Sequence, residues 1–138
     1  MPGGRLVGTG SSHVDYSLAR RSVLVAFRSG RVSRLDICDA HPDLIRAARS
    51  MGEATTLQCP ICDTGSLVLV SYVFSDELPK RENGRTWPRD DLAPLLKLGE
   101  VRLYTVEVCP GCSWNHLRSQ LTMGRGRRRA RRGSRAST

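Results

Sequence analysis

Apolar positions change their spacing part-way along this chain. Between residues 15 and 54 they recur every three or four positions. Tyr16, Ala19, Val23, Ala26 and Phe27 form one stripe, and Leu44, Ile45, Ala48 and Met51 another. That period lines up side chains on one face of a helix. Asp15 is placed to cap the first helix and Gly30 to close it. Pro42 fits the first turn of the last helix, with Asp43 at its positive end and Gly52 after it. Ser33 and Asp36 have capping-box spacing, which predicts a short helical piece through Leu35 to Cys38. Residues 15–54 therefore read as a helical segment of two or three helices.

Near Thr55 the pattern changes. Residues 66–74, SLVLVSYVF, are β-branched and apolar and predict a strand buried on both faces. Residues 101–108 and 113–122 predict two more. Between them, Asn83-Gly84 marks a turn. Leu92, Leu95, Leu96 and Leu98 predict a short helix capped by Asp90 or Asp91 and stopped by Gly99. Pro94 is tolerated only in its first turn, where N–H groups have no intrahelical partner. The Gly- and Ser-rich residues 1–14 are expected to be disordered, as is the Arg-rich tail, residues 124–138. The fold class expected is α+β. The N-terminal helical segment is followed, over residues 55–123, by an antiparallel zinc-ribbon-like β module.

The chemistry that makes the second half a ribbon lies in two short motifs. They are Cys59-Pro60-Ile61-Cys62 and Cys109-Pro110-Gly111-Cys112. Two residues between cysteines let one tight turn aim both sulfurs at a point, and Pro60 and Pro110 fix φ inside each turn. Gly111 is expected to allow a conformation closed to larger residues. Two such turns supply the four thiolates that zinc prefers, leaving no open coordination position, so the zinc expected is structural. Five cysteines, an odd number, argue against a disulfide framework. A thioredoxin-like redox pair needs a βαβ context and a single C-x-x-C. An iron–sulfur cluster usually follows other spacings.

The remaining candidates are weaker. Cys38 and His41 form a second ligand-like pair, either a half metal site or a nucleophile with its base. The plainer reading is a buried Cys38, with His41 capping the helix that starts at Pro42. Trp114 follows the second motif directly; it could stack on a base or anchor an interface, or else pack over the thiolates. Arg118, on the same predicted strand, joins it as a possible contact residue.

The charge is uneven. The net charge is +9, yet seven of the 22 basic residues lie in 125–138, where there is no acid. They are Arg125, Arg127, Arg128, Arg129, Arg131, Arg132 and Arg135. The other 15 face 13 acidic residues, and four metal-bound thiolates would bring the body close to neutral. The tail could therefore neutralise phosphates without sequence preference. No apolar run approaches the ~20 residues of a membrane span, and the first residues show no signal-peptide core. A cytoplasmic location without a membrane partner is expected.

Three stretches carry a resemblance: Asp15-Tyr16-Ser17-Leu18-Ala19-Arg20-Arg21, Cys38-Asp39-Ala40-His41-Pro42-Asp43-Leu44, and Val106 through Leu117. In them the chain is similar to an uncharacterised actinobacterial family, a domain of unknown function. The resemblance covers about residues 15–123, strengthens the fold and metal readings, and supplies no mechanism. It implies that the Cys-Asp-Ala-His run matters more than a plain helix cap would.

The function expected is that of a non-enzymatic, zinc-binding accessory protein contacting nucleic acid or the transcription or translation machinery. A helix-turn-helix around Ala40 is one way to do so. A zinc-ribbon module for protein–protein interaction is the alternative, and a Cys38/His41 enzyme a third reading. No small-molecule substrate is evident.

Overall fold

Strand-forming residues of the second half, joined by one segment from the N-terminal side, build a six-stranded antiparallel sheet. The computed structural model describes residues 12–88, 91 and 93–124. Its strands are β1 (Ser12–Asp15), β2 (Glu53–Gln58), β3 (Ser66–Phe74), β4 (Arg85–Thr86), β5 (Val101–Val108) and β6 (Asn115–Met123). They run in the order β1-β6-β5-β3-β2, with β4 also paired to β3. The central pair, β3 and β5, is the most apolar. Its register runs from Val68 opposite Val108 to Phe74 opposite Arg102.

Strands at 66–74 and 101–108 match the sequence reading. The third begins at Asn115, because Ser113 and Trp114 are used to finish the second cysteine turn. Ser12–Asp15 corrects the expectation of disorder over residues 1–14. This exposed, polar segment becomes a strand only by pairing with β6, His13 opposite Leu121 and Asp15 opposite Ser119. Residues 1–11 lie outside the described residues. The leucine-rich helix is a 3-10 turn, Ala93–Leu98, a tighter coil suited to six residues with proline near the start. Asp90 and Leu92 are not among the described residues.

Three α-helices precede most of the sheet: α1 (Ser17–Arg28), α2 (Arg34–Ile37) and α3 (Pro42–Met51). Asp15 accepts the Ser17 N–H at 2.7 Å, which holds its carboxyl below the usual range. Ser33 and Asp36 form the full capping box of α2. His41 caps α3, its Nδ1 accepting the Asp43 N–H at 3.0 Å.

Alternation along the strands gives the sheet two unlike faces. Leu24 of α1 packs with Leu67 and Trp114 on one face. Leu44, Ile45 and Ala48 of α3 pack on Val68, Val70, Val106 and Val108 on the other. α1 and α3 therefore lie on opposite sides of the sheet, and the turn at Ala40 joins α3 to α2, a single turn of four residues that is too short to be the first helix of a helix-turn-helix. A further core, of Val73, Leu95, Val101, Leu103 and Met123, fills the end of the α1 face away from the cysteines.

Candidate metal centre

The two cysteine turns lie at the same end of the sheet, one before β3 and one between β5 and β6. They are built alike. In the first, the Asp63 N–H donates to the Cys59 carbonyl at 3.2 Å; in the second, the Ser113 N–H donates to Cys109 at 2.8 Å. Each is closed by a further backbone bond, Cys59 N–H to Gly65 and Cys109 N–H to Trp114. The left-handed residue of each turn follows the second cysteine: Asp63 at φ 64° and Ser113 at φ 73°. Gly111 does not have positive φ, so the freedom expected there is not the one used.

This geometry gathers the four sulfurs. Cys59 Sγ lies 3.7 Å from Cys112 Sγ, and Cys62 Sγ 3.7 Å from Cys109 Sγ. All four lie within 4.8 Å of one another. Zinc–sulfur bonds of about 2.3 Å in a tetrahedron put ligands about 3.8 Å apart, so the two 3.7 Å pairs have the spacing of tetrahedral edges. The four cysteines are positioned to bind a metal ion, and Cys59 and Cys109 are fully buried. Backbone N–H groups already point at the ligands: Ile61 and Cys62 donate to Cys59 Sγ at 3.3 and 3.5 Å.

The thiols have different environments. The Thr64 hydroxyl donates to Cys62 Sγ at 3.5 Å and, with the Thr64 N–H, lowers that thiol to about 6. Burial pushes the Cys59 and Cys112 thiols up. A cation among them reverses this preference by replacing the protons.

Glycine permits the close approach of the first turn to the second. A Cβ on Gly65 would stand 2.7 Å from Cys109 Sγ and 3.8 Å from Cys62 Sγ.

The fifth cysteine is at the same centre. Cys38 Sγ lies 3.7 Å from Cys112 Sγ, with Cys38 as donor. The Cys-Asp-Ala-His run is stitched along the second turn. The Ala40 N–H donates to the Ser113 carbonyl at 3.0 Å, and the Asn115 amide to Asp39 at 3.0 Å. Cys38 and His41 thus take different roles, one beside the thiolates and the other as a helix cap. They do not combine into a second ligand cluster among the described residues.

Trp114 is 1% exposed and packs with Cys59, Cys109 and Leu24, closing the metal centre on the α1 side. It therefore has no free face for a base or a partner, contrary to its place among the candidate contacts. Its indole N–H donates to Glu107 at 2.7 Å. Glu107, 0% exposed, also accepts from Arg20 Nε at 2.9 Å on each oxygen and from Arg118 Nη1 at 3.0 Å. A β-bulge between Thr105 and Val106 leaves Arg118 without a partner in the register and turns it toward this carboxylate. Arg118, expected to contact a partner, is thus an ion-pair member at the wall of a cavity of about 470 Å³ beneath α1. Nothing in strand periodicity foretells this network. The lone acid of the strand 101–108, Glu107, is the one trace it leaves.

With the fold and the centre defined, comparison places the chain among known sequences. Residues 7–137 match a family of unknown function, DUF5318. The chain belongs to that family. It is 38% identical over 114 residues to the uncharacterized protein Mb0050 of Mycobacterium bovis, covering 83% of each chain. The same figures hold for the uncharacterized protein Rv0049 of Mycobacterium tuberculosis. No solved structure matches it. The mycobacterial relatives agree with the actinobacterial resemblance carried by the three motifs.

Among the described residues, no helix is long and apolar enough to cross a membrane. The seven tail arginines lie outside the described residues.

Proposed function

We propose that this chain is a non-enzymatic zinc protein of the cytoplasm that contacts nucleic acid or a nucleic-acid-containing complex. The ion is zinc, held by Cys59, Cys62, Cys109 and Cys112. The observation that carries this is the two 3.7 Å sulfur pairs, set by two turns of matching hydrogen bonding. Four thiolates saturate a tetrahedral ion, so it binds no substrate and activates no water. Its work is to hold β3, β5 and β6 together at one end, where the apolar core is small.

The contact with nucleic acid rests on charge. Seven arginines without an acid follow a body that is nearly neutral once the thiolates are counted. Arginines that neutralise phosphates release counterions, so binding weakens steeply with salt. Two measurements test the reading. Metal analysis of the purified protein should give one zinc per chain, and a folded, zinc-free protein would overturn the metal reading. Titration of labelled nucleic acid across a salt series should give a log–log slope of about −3 to −6, from ~0.7–0.9 per phosphate contact. Removal of residues 125–138 should flatten that slope and leave the zinc in place. Undiminished affinity after that removal would reject the tail as the contact.

A further inference from the structure

The α3 face of the sheet is only partly covered. α3 shields Val70 and Val108, while further along the same face lies an open hollow of about 390 Å³. Its walls are Tyr72 and Phe74 of β3, Arg102, Tyr104 and Val106 of β5, and Leu117 of β6. All six are half-buried. The register accounts for the grouping: Tyr72 stands opposite Tyr104 and Phe74 opposite Arg102, so three rings and a guanidinium share one face. Phe74 and Tyr104 meet edge to face, 5.3 Å between centroids.

The polar groups of this hollow have no partners among the described residues. Neither the Tyr72 nor the Tyr104 hydroxyl bonds one of them, and Arg102 pairs with no acid there. A ligand suited to the hollow has a flat apolar face, hydrogen-bonding edges and a negative charge. An unstacked nucleotide has all three. Arg102 supplies the positive charge of the hollow: Arg46 of α3 pairs with Asp43, and Arg85 of β4, opposite Val73, lies on the other face. The Arg-rich tail also starts here. Thr122 pairs with Arg102 and Met123 with Val101, so the chain leaves the sheet beside Arg102, and Arg125 is two residues further on.

We infer that the half-open aromatic face formed by Tyr72, Phe74, Arg102 and Tyr104 is a stacking platform for the bases of single-stranded nucleic acid. The inference rests on the nucleic-acid reading above and adds to it a place and a preference. A polycationic tail alone attracts duplex and single strand through their phosphates, whereas a stacking platform needs bases that are free of a partner strand.

Fluorescence anisotropy with the full chain separates the two. The probes are a short labelled oligothymidylate and a duplex of equal length. The wild-type chain should bind the single strand more tightly than the duplex. Tyr104→Leu keeps apolar volume and removes a ring face. It should weaken single-strand binding about tenfold or more and leave duplex binding unchanged, and Tyr104→Phe should restore it. A full-length variant with the seven tail arginines changed to glutamine should weaken both probes and flatten the salt slope. Zinc content and circular dichroism check that each variant is folded, and Arg102→Gln gives a second probe of the platform should Tyr104→Leu lose its zinc. Equal binding of single strand and duplex by the wild type would overturn the platform and leave the tail reading standing. So would an unchanged single-strand affinity in folded Tyr104→Leu, or, where that variant loses its zinc, in Arg102→Gln. Failure of the wild type to bind either probe would overturn both.

Discussion

Arg20 of α1 sets its Nε midway between the two carboxylate oxygens of Glu107, 2.9 Å from each, and Glu107 is wholly buried. The pair ties the first helix to the strand that leads into the second cysteine turn. Arg20 is one-quarter exposed and could return to water if freed; Glu107 could not. Removing Arg20 should therefore cost more than removing both partners. Arg20→Met is expected to approach the ~3–5 kcal/mol of a broken buried pair, less what Arg118 and Trp114 still supply. The double variant Arg20→Met, Glu107→Met should be the more stable of the two. Urea unfolding of the metal-loaded proteins measures both. A loss within error for Arg20→Met would show that Arg118 and the indole alone satisfy the carboxylate.

Gly65 is expected to be irreplaceable at the metal centre. A methyl group there would enter the space of Cys109 Sγ, which has no free direction because its own turn fixes it. Gly65→Ala should bind zinc more weakly than wild type by at least tenfold in a chelator competition. Wild-type affinity in this variant would mean that the first turn can retreat without loss of the tetrahedron.

Cys38 should be separable from the four ligands. It stands 3.7 Å from Cys112 Sγ and donates a hydrogen bond to it, the position of a group that tunes a ligand. Cys38→Ser should keep one zinc per chain and change its affinity within the 10–100-fold typical of such outer partners. A fall in stoichiometry would instead assign Cys38 to the ion. Cys59→Ser should behave differently: it should lose the zinc, and with it on the order of 10 kcal/mol of binding energy that supports this end of the sheet.

Metal uptake should release protons at neutral pH. Burial raises the Cys59 and Cys112 thiols, so both hold their protons at pH 7 before a cation enters. Zinc expels those two at least. Its affinity should therefore rise with pH through the neutral range and fall as pH drops, because protons compete for the same sulfurs. Addition of zinc to the metal-free protein in a weakly buffered indicator solution reads the release directly. An uptake without proton release would mean that the thiols are already ionised.

Local signals carried much of this architecture. The capping box at Ser33 and Asp36, the helix start at Pro42 and the strands at 66–74 and 101–108 are written in contiguous residues, where backbone preference and burial agree. The ligand set was equally legible, because a C-x-x-C turn confines its two sulfurs whatever surrounds it. Strands β1, β2 and β4 were not legible. They are short or exposed, and they exist because β3 and β6 offer them unpaired edges.

Sequence alone thus determined a helical first segment, the central strands and the set of four paired cysteines, since each depends on neighbours within a few residues. Tertiary structure decided which groups meet across the chain. It placed Cys38 beside Cys112, 74 positions away, buried Trp114 instead of exposing it, and drew Arg20 and Arg118 onto Glu107. It also put α1 and α3 on opposite faces of one sheet. The reason is that strand pairing and the bulge before Arg118 set which face each side chain takes, and no local pattern encodes the register between distant strands.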